Sequence, residues 1–267
     1  AISGDLTKNE ERLALPIMGR QQSFDNPWDV YAMSTYNTIT SLSESKSNPG
    51  VLYAGTDDGI IQYTKDGGTN WTKMTVDKLP GAPSTAFVND IKVDLHDNNT
   101  AYVALDNHKY GDYDPYLYKT TNGGKDWESI GSGIPEGTLV WRIVQDHVNP
   151  NLLFLATEYG VYISLNQGEN WHKFSTGLPT IAVRDLAIQK RENDLVLATF
   201  GRSFYVLDDY SALRGLTEES VSKDALLFPV RTALQYNQVN GGTSSQGGSY
   251  YSAKNPEYGA MFTFYMK

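Results

Sequence analysis

The chain has 267 residues, which is long enough for one all-β domain with a substantial core. Its net charge of −9, with no cluster of Lys or Arg, argues against nucleic-acid binding, which relies on clustered basic residues. The absence of cysteine excludes disulfides, thiolate metal sites and a thiol nucleophile, and it leaves the redox compartment unreadable.

Residues 1–36 are an irregular lead-in, charged early and then containing Pro16, Pro27 and several aromatic residues. The start, Ala1 to Asp5, lacks both a Met and a charged-then-apolar signal peptide, which favours a processed or truncated piece of a longer protein. No apolar run approaches the roughly 20 residues that cross a bilayer, so we expect no transmembrane segment.

Four repeats follow over residues 37–215. Each opens with a first strand, whose common apolar position is Ile39, Ile91, Ile143 or Leu186, at intervals of 52, 52 and 43 residues. A polar turn and a dense apolar second strand come next, at residues 51–56, 101–105, 152–157 and 195–199. A link to a third strand follows, short and containing Gly in three repeats but longer in the second, over residues 106–116.

A short motif ends the third strand in three repeats: a hydroxyl residue, any residue, Asp or Asn, any residue, Gly, two more residues and Trp. Asp and Asn accept hydrogen bonds from nearby backbone amides, and Gly tolerates the positive φ of a tight turn. The motif predicts a hairpin covered by the Trp ring, which we call a box hairpin. Its positions are Thr64, Asp66, Gly68 and Trp71, then Thr120, Asn122, Gly124 and Trp127, then Ser164, Asn166, Gly168 and Trp171.

The repeat predicts an all-β fold, a β-propeller segment of about four blades that is part of a larger propeller. The missing blades would lie upstream in a parent protein or in another copy of this chain. Two alternatives are a closed four-bladed ring and a β-sandwich whose strands match by chance. The fourth repeat ends at Asp208-Asp209-Tyr210 without Gly or Trp, where the chain leaves the repeat, and residues 216–267 are interpreted as a linker and the start of a further β element.

The box motif resembles the Asp-box, or BNR repeat, of sialidases, xyloglucanases and sortilin (VPS10) propellers. Leu52 to Gly59, Phe154 to Tyr162 and Ala198 to Phe204 resemble large bacterial sortilin-like proteins commonly labelled glycosyl hydrolases. The resemblance covers roughly residues 38–215, and it implies further blades and an extracytoplasmic location: secreted, periplasmic or at the cell surface. The sialidase set of three Arg residues with a nucleophilic Tyr is not evident, so the hydrolase label has little support from these residues.

One face of a propeller is formed by the loops that join second to third strands and one blade to the next, opposite the box hairpins. We expect this face to bind a protein partner or a glycan, because Tyr offers a rigid amphipathic contact, while further propeller blades are the other expected partner of the chain. The binding-face residues are Asp57, Asp58, His108, Tyr110, Tyr113, Trp141, Arg142, Tyr159, Arg184, Phe200 and Arg202.

The favoured function is a non-catalytic recognition or scaffold module. The alternative is a glycoside hydrolase or carbohydrate-binding propeller acting on a polysaccharide, and a hydrolase needs two carboxylates about 5–10 Å apart. The carboxylates to test are Asp57, Asp90, Glu158 and Asp185. We expect no cofactor or metal, although Asp106, Asp112 and Asp114 could supply oxygen ligands for Ca²⁺ without the closing Glu that would make the motif specific.

Overall fold

Four antiparallel sheets follow one another along the chain and pack side by side, and they are the blades of a partial β-propeller. The computed structural model describes residues 3–11, 14, 16–17, 20–21, 36–235, 237 and 256–267. The predicted linker composition at residues 236–255 therefore lies outside the described residues except for Asn237, as do Pro27 and the nearby aromatic residues of the lead-in.

The strands pair in chain order within each blade. Blade 1 follows a short pair, β1 (Pro16–Ile17) with β2 (Arg20–Gln21), and contains β3 (Ile39–Glu44), β4 (Leu52–Thr56), β5 (Ile60–Thr64) and β6 (Thr72–Thr75). Blade 2 contains β7 (Phe87–Val93), β8 (Ala101–Asn107), β9 (Asp112–Thr120) and β10 (Glu128–Ser129). Blade 3 contains β11 (Val140–Gln145), β12 (Leu153–Thr157), β13 (Gly160–Ser164) and β14 (His172–Phe174), and blade 4 contains β15 (Val183–Gln189), β16 (Asp194–Thr199) and β17 (Phe204–Leu207).

The three box hairpins are closed by the same side-chain hydrogen bonds. Thr64 Oγ1 donates to Asp66 Oδ1 at 2.7 Å and accepts from the Gly68 amide at 3.1 Å. Gly68 has a φ of 95°, and the Trp71 indole donates to its carbonyl at 3.0 Å. The hydroxyls and turn amides pair in the same way in blades 2 and 3, at Thr120, Asn122 and Gly124 and at Ser164, Asn166 and Gly168.

A β-bulge interrupts the first strand of every blade at the same register position. The bulged residues are Thr40, Asn89, Trp141 and Arg184, and the residues after them are Ser41, Asp90, Arg142 and Asp185. A bulge turns a side chain away from the regular alternation. Thr40 and Asn89 use this to donate to the next blade, to the carbonyls of Val88 at 2.6 Å and Val140 at 2.8 Å.

The bulge corrects the alignment of the first repeat. Leu42, and not Ile39, is the register equivalent of Ile91, Ile143 and Leu186. Ile39 and Leu42 are both apolar, and they lie on either side of the bulge. The sequence alternation does not show where the extra residue of a bulge lies, so the prediction chose the wrong residue of the two. Ile91 is fully buried against blade 1, whereas Leu42 is exposed.

The outward face of blade 4 is uncovered within the described residues. Phe204 and Val206 occupy the positions that Val161 and Ile163 hold in blade 3. Val161 and Ile163 pack against blade 4 and are 0% and 7% exposed, whereas Phe204 and Val206 are 70% and 52% exposed. Blade 4 therefore has apolar residues at the positions through which blade 3 contacts its neighbour, but no described residue covers them.

The chain leaves blade 4 after its third strand and returns to blade 3. A 3₁₀ turn, Tyr210–Gly215, takes the place of the box hairpin. Its Arg214 guanidinium binds both oxygens of the buried Asp146 at 2.8 Å, and Tyr210 donates to the same carboxylate at 2.7 Å. A short helix, α1 (Glu218–Ser222), and the paired strands β18 (Ala225–Leu227) and β19 (Phe264–Met266) follow, so the predicted terminal strand pairs within this chain.

The described part of the lead-in covers blade 1. Leu6 is buried, and its carbonyl accepts from the Gln62 side chain at 2.6 Å. The Lys8 amide donates to Asp58 Oδ2 at 2.6 Å. No helix among the described residues is long and apolar enough to cross a membrane.

Candidate functional site

A cleft of about 250 Å³ opens on the loop face between blades 2, 3 and 4. We call it the Trp141 cleft. It is lined by His108, Tyr113, Gly137, Leu139, Trp141, Glu158, Tyr159 and Arg184. The structure thus brings together five of the predicted binding-face residues and one of the predicted carboxylates.

Trp141 holds the charged groups of the cleft in place. Its indole N–H donates to Glu158 Oε2 at 3.1 Å, and the Arg184 guanidinium carbon lies 3.7 Å from the centre of its ring. Arg184 Nη2 also lies 3.8 Å from Glu158 Oε2. A guanidinium stacked on an indole face and near a carboxylate is stabilised by both contacts. Because Trp141 and Arg184 are the bulged residues of adjacent blades, the bulge is what turns both toward the cleft.

Exposed aromatic side chains border the charged centre. Tyr113 and Tyr159 line the cleft and are about half exposed. Phe200 is largely exposed, with its ring centre 5.7 Å from the Arg184 guanidinium carbon. The His108 ring meets Trp141 edge to face, with centroids 6.1 Å apart. The cleft therefore presents apolar ring faces around one hydrogen-bond acceptor, Glu158, and one cation, Arg184.

An extended hairpin in blade 2 builds one wall of the cleft. Residues 106–116 are predicted as a long loop, but β8 runs to Asn107 and β9 begins at Asp112, so only a short turn remains. The Asn107 side chain donates to Asp112 Oδ2 at 3.0 Å, and Gly111 closes the turn with a φ of 78°. Tyr is common in β-strands, so the composition of residues 106–116 is compatible with strand pairing, whereas the greater length of the segment alone suggested a loop.

Asp57 and Asp58 are not available on the binding face. Both are buried, and Asp57 accepts from the Thr38 amide at 2.7 Å while Asp58 binds the Thr56 hydroxyl and the Lys8 amide. Burial raises the pKa of Asp57 above its ordinary value. These carboxylates close turns and anchor the lead-in, and their burial leaves little of either side chain exposed to a ligand.

Three further binding-face residues lie outside the lining of the cleft. Tyr110 is partly exposed on the turn of the blade 2 hairpin, and Arg202 is exposed in the link between β16 and β17. Arg142 instead points along the inner strands, where its Nη1 donates to the Asn89 carbonyl at 3.1 Å. The loop face is therefore broader than the cleft, and Arg142 serves contacts between blades.

The residues after the bulges form a chain of polar contacts across the blades. Ser41 Oγ and Arg142 Nη1 donate to Asp90 Oδ1 at 3.1 Å and 3.0 Å, and Arg142 Nε lies 3.6 Å from Asp185 Oδ1. Asp90 is fully buried and also accepts from the Ile143 amide at 3.1 Å. Burial raises the pKa of Asp90, and Lys92 and Arg142 oppose that shift. Asp90 thus accepts hydrogen bonds from blades 1 and 3 in the interior of the stack.

The proposed calcium ligands do not converge. Asp106 binds the His108 ring, Asp112 accepts from Tyr116 at 2.8 Å, and Asp114 faces the Gly137 amide at 3.4 Å. Within the part of the chain that the structure describes, no three His, Asp or Glu side chains form a group that could hold a metal ion. The three carboxylates shape the blade 2 hairpin.

Sequence reasoning missed the basic residues at the other end of the propeller axis. Lys46, Lys92 and Lys190 come from three blades and border one cavity. They are far apart in the sequence and form no basic cluster there. Lys46 and Lys190 hold equivalent places in the turns after the first strands of blades 1 and 4, whereas Lys92 lies within β7, so the sequence pattern alone does not bring the three together.

The comparisons with known proteins support the fold. No family model matches the chain. A xyloglucanase from Paenibacillus sp is 24% identical over 184 residues, which are 64% of this chain and 16% of that protein. A GH74 enzyme from Niastella koreensis has a TM-score of 0.52 at 16% identity and covers 66% of this chain and 29% of its own. The β-propeller domain of Cps50 (Swd1) from Myceliophteria thermophila has a TM-score of 0.50 at 15% identity and covers 68% and 56%.

This chain therefore spans well under two thirds of the length of each of these relatives. At such identities the likeness shows the β-propeller fold alone. The prediction of a partial β-propeller is confirmed, and the relatives leave the catalytic or non-catalytic nature of this chain to be argued from its own residues.

Proposed function

We propose that this chain is a non-catalytic recognition module, whose Trp141 cleft binds part of a protein or glycan ligand. The supporting observation is the ring of aromatic faces around the Glu158 and Arg184 pair. A sugar ring or a peptide has both an apolar face and hydrogen-bonding groups, and this arrangement offers a contact for each. Trp141 is mostly buried, so the polar groups are held in position before a ligand arrives.

A non-catalytic role is supported by the number of carboxylates. Glu158 is the single carboxylate in the lining of the cleft among the described residues, and its Oε2 already accepts from Trp141 and faces Arg184. A glycosidase needs a second carboxylate at a distance of about 5–10 Å. Asp90 is buried, and Asp185, which pairs with Arg142, is not part of the lining of the cleft.

A hydrolase acting on a polysaccharide is the second candidate, and the similarity to a xyloglucanase favours testing xyloglucan first. We would titrate xyloglucan oligosaccharides into the protein by calorimetry and measure new reducing ends after incubation with the polymer. Recognition without catalysis predicts saturable binding and no new reducing ends. Release of reducing ends that is lost in Glu158→Gln would overturn the non-catalytic assignment.

The role of the cleft is tested by substituting its exposed rings. Tyr159→Ala is expected to weaken binding roughly two- to tenfold, since one aromatic contact contributes about 0.5–1.5 kcal/mol. Phe262→Ala is the matched control, because Phe262 is an exposed aromatic residue of the tail. Equal affinity in both variants would show that the ligand binds elsewhere. If no glycan binds, the same pair of variants is tested with candidate protein partners.

We also propose that the box hairpins are Asp-boxes of the sortilin-like kind and that the protein works outside the cytoplasm. The shared hydroxyl, Asp or Asn, and Gly contacts of the three hairpins support the first point. The location is inferred from the family resemblance. Fractionation of the producing cells followed by detection with an antibody tests it, and recovery in the cytoplasmic fraction would contradict it.

A further inference from the structure

A second cavity, of about 190 Å³, lies at the opposite end of the propeller axis from the Trp141 cleft. We call it the axial cavity. Its rim carries Lys46 from the first turn of blade 1, Lys92 from β7 and Lys190 from the equivalent turn of blade 4. The turn of blade 1 is tied to its box hairpin by the Gly67 amide and Gly50 carbonyl, so the cavity opens on the box side.

The rim holds positive charge that the described residues do not neutralise. Neither Lys46 nor Lys190 forms an ion pair with a described carboxylate, although the chain as a whole carries a net charge of −9. The two ammonium groups lie close together, and the Lys190 ammonium, followed by partial burial, lowers the pKa of Lys46. Like charges held together at the rim of a cavity favour a bound anion.

The nearby carboxylates are already engaged. Lys92 lies 3.4 Å from Asp90, which also pairs with Arg142. Asp94 is buried behind the cavity wall, where it accepts from the Tyr102 hydroxyl at 3.0 Å and the Gln145 amide at 2.6 Å. The uncompensated charge is therefore concentrated at Lys46 and Lys190.

His147 lies near the same cations and 3.6 Å from Asp146. Burial lowers the pKa of its imidazole, Asp146 opposes that shift, and Arg214, Lys190 and Lys46 lower the pKa further. Its Nδ1 is buried and has no hydrogen-bond partner among the described residues. A neutral imidazole is what a local excess of cations favours.

The walls of the axial cavity are apolar. They consist mainly of Val93, Leu95, Ile143, Val144 and Ile188. The volume is below the roughly 300–1,000 Å³ of pockets that enclose drug-sized ligands, so the space fits a small molecule. We propose that the axial cavity binds a small organic anion, with its charged group between Lys46 and Lys190 and its apolar body against Ile143 and Ile188.

Three probes distinguish the contribution of the charged group from that of the apolar body, in calorimetric titrations at fixed ionic strength. Hexanoate carries both a carboxylate and an apolar body, hexanamide has the body without the charge, and acetate has the charge with almost no body. Hexanoate is expected to bind with one site and at least tenfold more tightly than either of the others. Equal binding of hexanamide, or no binding of hexanoate, would overturn the proposal.

Substitutions then locate the site. Lys46→Gln and Lys190→Gln are each expected to weaken hexanoate binding about tenfold, as the loss of one charge-assisted hydrogen bond predicts. Lys125→Gln is the matched control, because Lys125 is an exposed residue of a box hairpin. A thermal unfolding scan confirms that the variants fold. Unchanged affinity in both cavity variants, or an equal loss in the control, would refute the site. The Trp141 cleft lies on the other face, so its ligand binding should be unaffected.

Discussion

Arg214→Met is expected to destabilise the protein by releasing the segment after blade 4 from blade 3. Arg214 Nε and Nη2 donate to the two oxygens of Asp146 at 2.8 Å. Asp146 also accepts from the amides of Val148 at 3.1 Å and Asn149 at 2.7 Å. Its side chain is fully buried, so the substitution leaves a carboxylate in a dry site without its guanidinium partner.

The magnitude follows from the pKa of Asp146. Burial opposes its ionisation, but hydrogen bonds from Arg214, the Asn149 amide and Tyr210 hold its pKa at about 2, below the ordinary value of 3.8. At about 1.4 kcal/mol per pKa unit, this corresponds to roughly 2 kcal/mol of stability at neutral pH. Breaking a buried ion pair from one side costs about 3–5 kcal/mol. We therefore expect Arg214→Met to lower the free energy of unfolding by about 2–5 kcal/mol at pH 7.

The destabilisation caused by Arg214→Met should depend on pH. The folded pKa of Asp146 is depressed, so its stabilisation is complete above the unfolded pKa and is lost as the pH falls toward about 2. Arg214→Met removes one of the donors that lower the pKa of Asp146 while the burial that raises it remains, so this pKa should be higher in the variant than in the wild type. The difference in unfolding free energy between wild type and variant should therefore be largest at neutral pH and shrink as the pH falls through the higher pKa of the variant toward about 2.

Urea unfolding followed by tryptophan fluorescence at pH 7, 5, 4 and 3 measures this difference. Arg202→Met is the control, because Arg202 is exposed and forms no ion pair among the described residues. A variant difference that stays constant between pH 7 and pH 3, or that equals the effect of Arg202→Met, would refute the reasoning.

Three further predictions concern contacts between blades. Gly55→Ala should cost about 1–3 kcal/mol by overpacking, although the other blades have Ala there, because the new Cβ would lie 2.3 Å from Val88 Cγ1. Urea unfolding should show a smaller cost in a Val88→Ala background, and equal costs would contradict this. Asp90→Ala should lower the unfolding free energy by about 1–3 kcal/mol, because the buried Ile143 amide loses its acceptor, and full stability with altered ligand binding alone would contradict the structural role of Asp90. Lys46→Glu should raise the unfolding temperature by pairing with Lys190, and a decrease would contradict it.

The order of strands could be predicted from the sequence because the turn residues and the box motif recur at similar places in successive repeats. The box motif predicted the hairpin contacts of Thr64, Asp66 and Gly68, since hydroxyl, carboxylate and glycine have few alternatives in a tight turn. Of the cleft residues, His108, Tyr113 and Tyr159 were predicted from their place between second and third strands, whereas Trp141 and Arg184 lie in first strands and reach the cleft through their bulges.

The remaining features depend on information that a one-dimensional pattern does not carry. Apolar residues lie on both sides of the bulge in blade 1, at Ile39 and Leu42, so the pattern did not show which of them matches Ile91 of blade 2. Burial of Asp57 and Asp58 depends on the lead-in, which approaches blade 1 from about fifty residues away in the chain. The axial cavity combines Lys46 and Lys190 from turns that are adjacent only after the blades are stacked.

The chain of contacts after the bulges also has a consequence for folding. Ser41, Asp90, Arg142 and Asp185 hold the same place in four similar sheets, yet each differs in charge from its neighbour in the stack. Sheets of similar shape can stack in the wrong order, which is a common failure of repeat proteins. Blade 2 stacked directly on blade 4 would place Asp90 against Asp185, and like charges in contact are strongly unfavourable. One residue per blade thereby disfavours any order in which blades 2 and 4 are neighbours.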